Sequence, residues 1–219
     1  MTRSAAHLLS DTRKELAPRP EENQLISKIE DGSASLQLLG ELAAQETRIL
    51  VSTRRSLLVL AARGSDDLTG PLFTSLAAGE GQALRMLAPL RAACGLLDSD
   101  GYARPALAGC QALSGYLAWL ALNGDPGGVV LALFGNTSFA SYCATTAAAL
   151  TEHYGFDEQA CAFFKFFAES NAELEAHAAA VLEDWTARNP TVASDVLDYG
   201  RLQKCYELMF WNTLSDLDS

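Results

Sequence analysis

The sequence predicts an all-α protein, a single helical bundle, and three observations carry that prediction. Apolar residues recur at three- and four-residue spacing in one long segment after another, as at Leu36, Leu39, Leu42, Ile49, Leu57 and Leu60, which places them on one helix face. No segment shows sustained strand alternation with turn spacing, and the run Ile49-Leu50-Val51 is too short to outweigh the helical pattern around it. Residues 105–151 hold a single charged side chain, Asp125, between two apolar runs that are each ample for a helix. A solvated helix normally carries charge on one face, so this pair reads as a central hairpin wrapped by the rest of the chain.

Each element has its own signals. Residues 1–20 read as a polar arm with at most one helical turn near Ala5, separate from a helical domain spanning residues 21–219. A first helix is expected over residues 21–29, with Pro20 at its start and Asp31-Gly32 at its stop. Ser33 or Ser35 then caps a long helix that reaches Arg63 and ends at Gly64-Ser-Asp-Asp67. A third helix covers residues 68–96, with a bend or boundary at Gly79-Glu80-Gly81, because paired glycines weaken a helix. Asp98-Ser-Asp-Gly101 reads as the turn into the hairpin, and Asn123-Gly-Asp-Pro-Gly-Gly128 as the turn within it. Gly135-Asn136 interrupts the second arm, which Gly155 ends. One aromatic helix is expected over residues 158–186, carrying Phe163, Phe164, Phe166 and Phe167, and Thr191 caps a last helix running to about Thr213.

Composition excludes several function classes. With 16 Lys and Arg against 27 Asp and Glu, the formal charge of -11 argues against nucleic-acid binding, which needs phosphate neutralisation. The five cysteines are scattered singly without Cys-x-x-Cys spacing, the pattern of reduced core thiols in a cytoplasmic protein. Charged residues interrupt residues 1–20, so no signal peptide is expected there. Gln111, Ser114, Asn136, Thr137, Ser138 and Ser141 in the alanine-rich hairpin argue against membrane insertion.

The sharpest functional signal is Glu207. Phe210, Trp211 and Leu214 follow it at i+3, i+4 and i+7 and so share its side of a helix. An acid on such a face is either paired or carries a raised pKa, which makes it a candidate catalytic or ligand-gripping group, or else a structural tie between helices. A second group lies in the hairpin: Asn136, Thr137, Ser138, Tyr142 and Cys143 on one arm, Gln111 and Tyr116 on the other. Polar groups in a charge-free helix pair need partners, and together these could line a cavity for a mostly apolar heterocycle. Cysteine as small core filler is the default for Cys143. A metal site would need several ligands; Glu173 and His177 are four apart, and with Glu80 and Glu207 they form an alternative, iron-binding set, although the Glu-x-x-His motif of di-iron bundles is absent.

The order of helices, the aromatic fifth helix and the ending Glu207-Leu-Met-Phe210-Trp211 resemble the TenA (thiaminase II-like) family, which shares the haem-oxygenase-like helical fold with PqqC. The resemblance implies a homo-oligomer in thiamine metabolism that acts on aminopyrimidines without a cofactor. The family's closing glutamate carries over onto Glu207. Its nucleophilic cysteine falls on Asn136, and the tyrosine four residues later on Ala140, with Phe139 and Tyr142 nearby. Its pyrimidine-binding aspartate falls at about Thr53, and the following aromatic at about Ser56. The expected ligand-binding set is therefore Asn136, Phe139, Tyr142, Thr53, Tyr116, Phe163 and Phe210 around a catalytic Glu207. The expected activity is metal-independent hydrolysis without the cysteine nucleophile; the alternatives are an iron-dependent oxygenase and a non-catalytic binding or assembly protein.

Overall fold

A computed structural model describes residues 4–64, 66–96, 104–189, 191 and 194–218. Among the described residues there is no strand, and ten α-helices follow one another along the chain. They are α1 (Ala5–Glu15), α2 (Gln24–Glu30), α3 (Leu36–Arg63), α4 (Thr69–Ala93), α5 (Ala108–Asn123), α6 (Pro126–Gly135), α7 (Ser138–Tyr154), α8 (Glu158–Ala168), α9 (Ala172–Arg188) and α10 (Ser194–Ser215). The expected turn at residues 98–101 lies outside the described residues.

Most predicted boundaries have the expected chemistry. Ser35 accepts the Leu38 N–H at the start of α3, and Asp125 accepts the Gly128 N–H at the start of α6, with Pro126 in the first turn. Gly155 ends α7 at φ 66°, a left-handed conformation that favours glycine.

Four expectations are corrected. Residues 5–15 are not a detached polar arm but a full helix, capped by Ser4, that packs on α6 and α9 and buries Ala5 and Leu8. α4 runs unbroken through Gly79-Glu80-Gly81, where the two glycines pass Phe166 and Arg54. The aromatic helix is two helices, because Asn171 accepts the N–H groups of Glu173 and Leu174 and starts a new helix, α9. The hairpin is not wrapped along its whole length: α6 is buried almost throughout, whereas α5 leaves Trp119 and Leu122 exposed and α7 exposes Ser141, Ala144 and Ala148.

The bundle buries two apolar clusters. One joins Leu25, Ile29, Leu42, Leu87, Tyr142, Phe163, Phe210 and Trp211, and the other joins Leu8, Leu60, Phe73, Leu120, Val130, Leu182 and Val196. Burying each such side chain contributes about 1.5–3 kcal/mol before entropy is counted. α3, α4 and α10 run through both clusters, while the α6–α7 arm breaks between them at Asn136. That junction carries the polar interior.

Candidate functional site

The break itself places the first functional side chain. α6 ends at Gly135 because Asn136 leaves helical conformation (φ -86°, ψ 102°), and its Oδ1 accepts the Ser138 N–H at 3.1 Å. That bond identifies the oxygen end of the amide, so Nδ2 is the donor that reaches Glu207 Oε2 at 2.7 Å. Asn136 and Glu207 are 9% and 3% exposed. Glu207 Oε1, Trp211 Nε1 and Tyr142 Oη are also buried, and none makes a hydrogen bond of ordinary geometry. Native interiors rarely leave such groups unsatisfied.

Aromatic rings close the surroundings. Trp211 meets Tyr142 edge-on at 5.7 Å and lies 6.3 Å from Phe139, while Phe210 packs edge-on against it at 5.3 Å. Phe167 links Phe139 to Phe163. Desolvation inside this wall pushes the Glu207 carboxyl up to about 7, opposed by the Asn136 hydrogen bond, the Lys204 charge and the nearby Trp211 N–H. The same burial pushes the Tyr142 hydroxyl up to about 12, helped by the charge of Glu207. With Oε2 accepting from Asn136, a neutral Glu207 carries its proton on Oε1. That oxygen can donate to a ring nitrogen when protonated and accept from an amino group when ionised.

A residue outside the expected set joins this interior. Glu46 of α3 is 2% exposed, and burial, then the charges of Glu80 and Glu207, push its carboxyl up to about 8. Its signal was legible: Leu42, Ile49 and Leu50 lie at i-4, i+3 and i+4, the same reasoning that singled out Glu207. The resemblance pointed instead to Thr53, two helical turns further along α3 and only partly buried. The α3 acid whose charge acts on this interior is thus Glu46. Tyr116 is also displaced, turned toward Trp119 and Tyr206 and packed on the other apolar cluster.

The alternative iron set does not assemble. His177 is bonded through Nε2 to Leu68 O, Glu173 is exposed at the start of α9, and among the described residues no three His, Cys, Asp or Glu side chains are grouped to hold a metal ion. Thiolate chemistry lacks a nucleophile at this point too. Burial drives the Cys143 thiol well above its ordinary pKa and Cys110 up to about 12, and the Cys110 Sγ donates toward Phe210 O. Two surface clefts lie elsewhere, one of about 310 Å³ beside Glu41 and Arg104 and one of about 400 Å³ beside Arg85 and Gln159. Among the described residues no helix is long and apolar enough to cross a membrane.

No family sequence model matches the chain, and no curated protein matches it by sequence. Its fold matches solved structures over nearly its whole length. A TenA homologue from Pseudomonas syringae pv. tomato superposes with a TM-score of 0.72 at 12% identity, covering 97% of this chain and 91% of that one. A domain of unknown function with a heme oxygenase-like fold from Shewanella denitrificans gives 0.71 at 14% identity over 97% and 89% of the two chains. A putative TenA-like thiaminase from Sulfolobus solfataricus gives 0.64 at 15% identity over 97% and 94%. The chain therefore has the haem-oxygenase-like helical fold of TenA proteins.

Proposed function

We propose that this protein binds a small nitrogen heterocycle of the aminopyrimidine class in the interior bounded by Glu207, Asn136, Tyr142 and Trp211, and hydrolyses a bond on its one-carbon arm without a metal. The observation that carries the reading is the buried Glu207 Oε1, which, like Trp211 Nε1 and Tyr142 Oη beside it, lacks a hydrogen bond of ordinary geometry within an aromatic wall. An aminopyrimidine offers an adjacent ring nitrogen and amino group, which a single carboxyl oxygen pair can grip, and a flat face for Phe139 and Trp211.

Hydrolysis joins water to the methylene carbon as the bond from that carbon to the leaving amine breaks. The new carbon–oxygen bond takes the water oxygen, the bonding pair leaves on nitrogen, and the water proton reaches the amine through Glu207. A carboxyl held near pH 7 suits both halves of that transfer. Water replaces the thiolate because Asn136 stands at the cysteine position and the neighbouring thiols are held protonated. The likeness in fold to TenA proteins supports reading the activity as thiamine salvage in the cytoplasm. Trp119 and Leu122 of α5, with Leu202 and Met209 of α10, give a homo-oligomer an apolar contact face.

Calorimetry against aminopyrimidines carrying an aminomethyl or hydroxymethyl arm tests the reading. The wild type should bind, Glu207→Gln should weaken binding at least about 100-fold with an unchanged circular dichroism spectrum, and amine release should track binding. Equal affinity in Glu207→Gln would remove that carboxyl from its role.

A further inference from the structure

A ligand bound beside Glu207 must pass a closed wall, since Glu207, Asn136, Tyr142 and Trp211 are all at most 9% exposed. The segment between α1 and α2 lies across the seam in question. Leu16 is wedged against Gly200 of α10, and its carbonyl accepts the Ser138 hydroxyl of α7 at 3.2 Å, two residues from Asn136. At the other end, Asn212 of α10 donates to Glu22 O at 3.0 Å and accepts the Gln24 N–H at 2.9 Å. Gly200 and Asn212 bracket Glu207, so residues 17–22 span the stretch of α10 that carries it.

The two ends are fixed, and between them Ala17, Arg19 and Glu21 are exposed; among the segment's described side chains, none between Leu16 and Leu25 joins either apolar cluster. What fastens it is Lys204, which is 9% exposed and lies three residues before Glu207 on the same helix. Its Nζ donates to Ala17 O at 3.0 Å and pairs with Glu22 Oε2 at 2.8 Å, gripping both ends of the stretch at once. On the inner side, the buried Asn23 side chain meets the Tyr142 hydroxyl, so the far end of the strap touches the wall of the Glu207 interior directly.

We propose that residues 17–22 are a strap that opens to admit ligand to the Glu207 interior, pivoting at Leu16 and Asn23, and that Lys204 is its latch. One cation holds the strap shut by a carbonyl and a carboxylate, contacts that water can replace when the strap lifts. The latch charge also lowers the Glu207 pKa, and the closed strap sets the Glu22 carboxylate against that charge. The strap's purpose rests on the interior being a ligand site, while its movement does not.

The test therefore uses a reagent whose entry is independent of ligand identity. Asn136→Cys places a thiol inside the wall, and its alkylation by iodoacetamide is followed by peptide mapping on the full-length protein, with buried Cys161 in the same molecule reporting general unfolding. Adding Lys204→Met should speed alkylation at the introduced thiol at least about fivefold while Cys161 stays unchanged. Glu22→Gln, which leaves the Lys204 charge beside the thiol, should move it in the same direction. Hydrogen exchange over residues 17–22 should rise in both variants, and Lys204→Arg should restore much of the protection. An unchanged alkylation rate in both latch variants, or equal acceleration at Cys161, would overturn the strap. Failure of aminopyrimidines to bind the wild-type protein would count against the ligand class alone.

Discussion

Two neighbours on α3, Gln45 and Glu46, enter two buried polar regions with opposite character. Gln45 is fully paired. Its Nε2 donates to Glu41 Oε1 at 2.7 Å and to Pro105 O at 2.8 Å, and its Oε1 accepts from Leu107 N at 3.3 Å and Gln111 Nε2 at 3.2 Å. Arg104 completes the group by pairing with Glu41 Oε2 at 2.8 Å. On the Glu46 side, Glu207 Oε1, Trp211 Nε1 and Tyr142 Oη make no hydrogen bond of ordinary geometry, and the Glu46 and Glu207 carboxyls are pushed up to about 8 and about 7. A satisfied network fastens the approach to α5 onto α3, whereas an unsatisfied one stores interaction capacity for something that arrives later. Buried polarity alone does not mark a site; unspent polarity does.

The contrast can be broken most sharply by exchanging effects. Glu207→Gln should cost ligand binding and leave the melting temperature within a few degrees. Gln45→Leu should do the reverse, removing about 2–4 kcal/mol of stability by stranding Glu41, Pro105 O and the Leu107 N–H, while ligand affinity in the folded protein changes less than about threefold. If Gln45→Leu abolished binding without loss of stability, the division between fastening and function would fall.

The carboxyls give the next largest effect through pH. A group whose folded pKa is raised stabilises the protein fully below its unfolded value, near 4.5, and that stability is lost as pH climbs through the folded value. Denaturant unfolding should therefore show stability declining from about pH 5 to pH 9. Glu46→Gln should flatten the decline and make the protein more stable at pH 9 by roughly 1–3 kcal/mol. A parallel curve in the variant would show that Glu46 is not the proton-holding group.

A smaller effect sits at the helix break. A Cβ on Gly135 would overlap the Thr12 methyl, so Gly135→Ala should cost about 1–2 kcal/mol and disturb Asn136 from beneath. Thr12→Ser removes the methyl but keeps the hydroxyl that donates to Leu8 O, and in the double variant it should recover most of the loss. Smallest of all, Cys143→Ala should change ligand affinity and amine release less than about twofold; a selective loss of turnover would bring the thiol back into the chemistry.

Much of the fold was legible because helix signals are local. Ser35, Asp125, Gly155 and the Asn136 break each act within a turn of the chain, and all four are found where the sequence placed them. The misread elements needed partners to decide them. Residues 5–15 look polar until Ala5 and Leu8 have α6 and α9 to pack on, and glycines 79 and 81 look like a break until α3 and α8 hold α4 straight. At the site, Glu207 is marked by its own helix face, and Glu46 carries the same mark in Leu42, Ile49 and Leu50, whereas the family resemblance marks Thr53.

By itself, then, the sequence determined the helices, most of their ends, and the presence of an acid on an aromatic face, since each depends on spacing within one helix. Only the tertiary structure decided that Asn136 and Glu207, 71 residues apart, share a hydrogen bond, that Tyr116 belongs to another core, and that residues 17–22 cross over the result. Those facts rest on which helix faces meet, and that is set by the packing of the whole bundle rather than by any one segment.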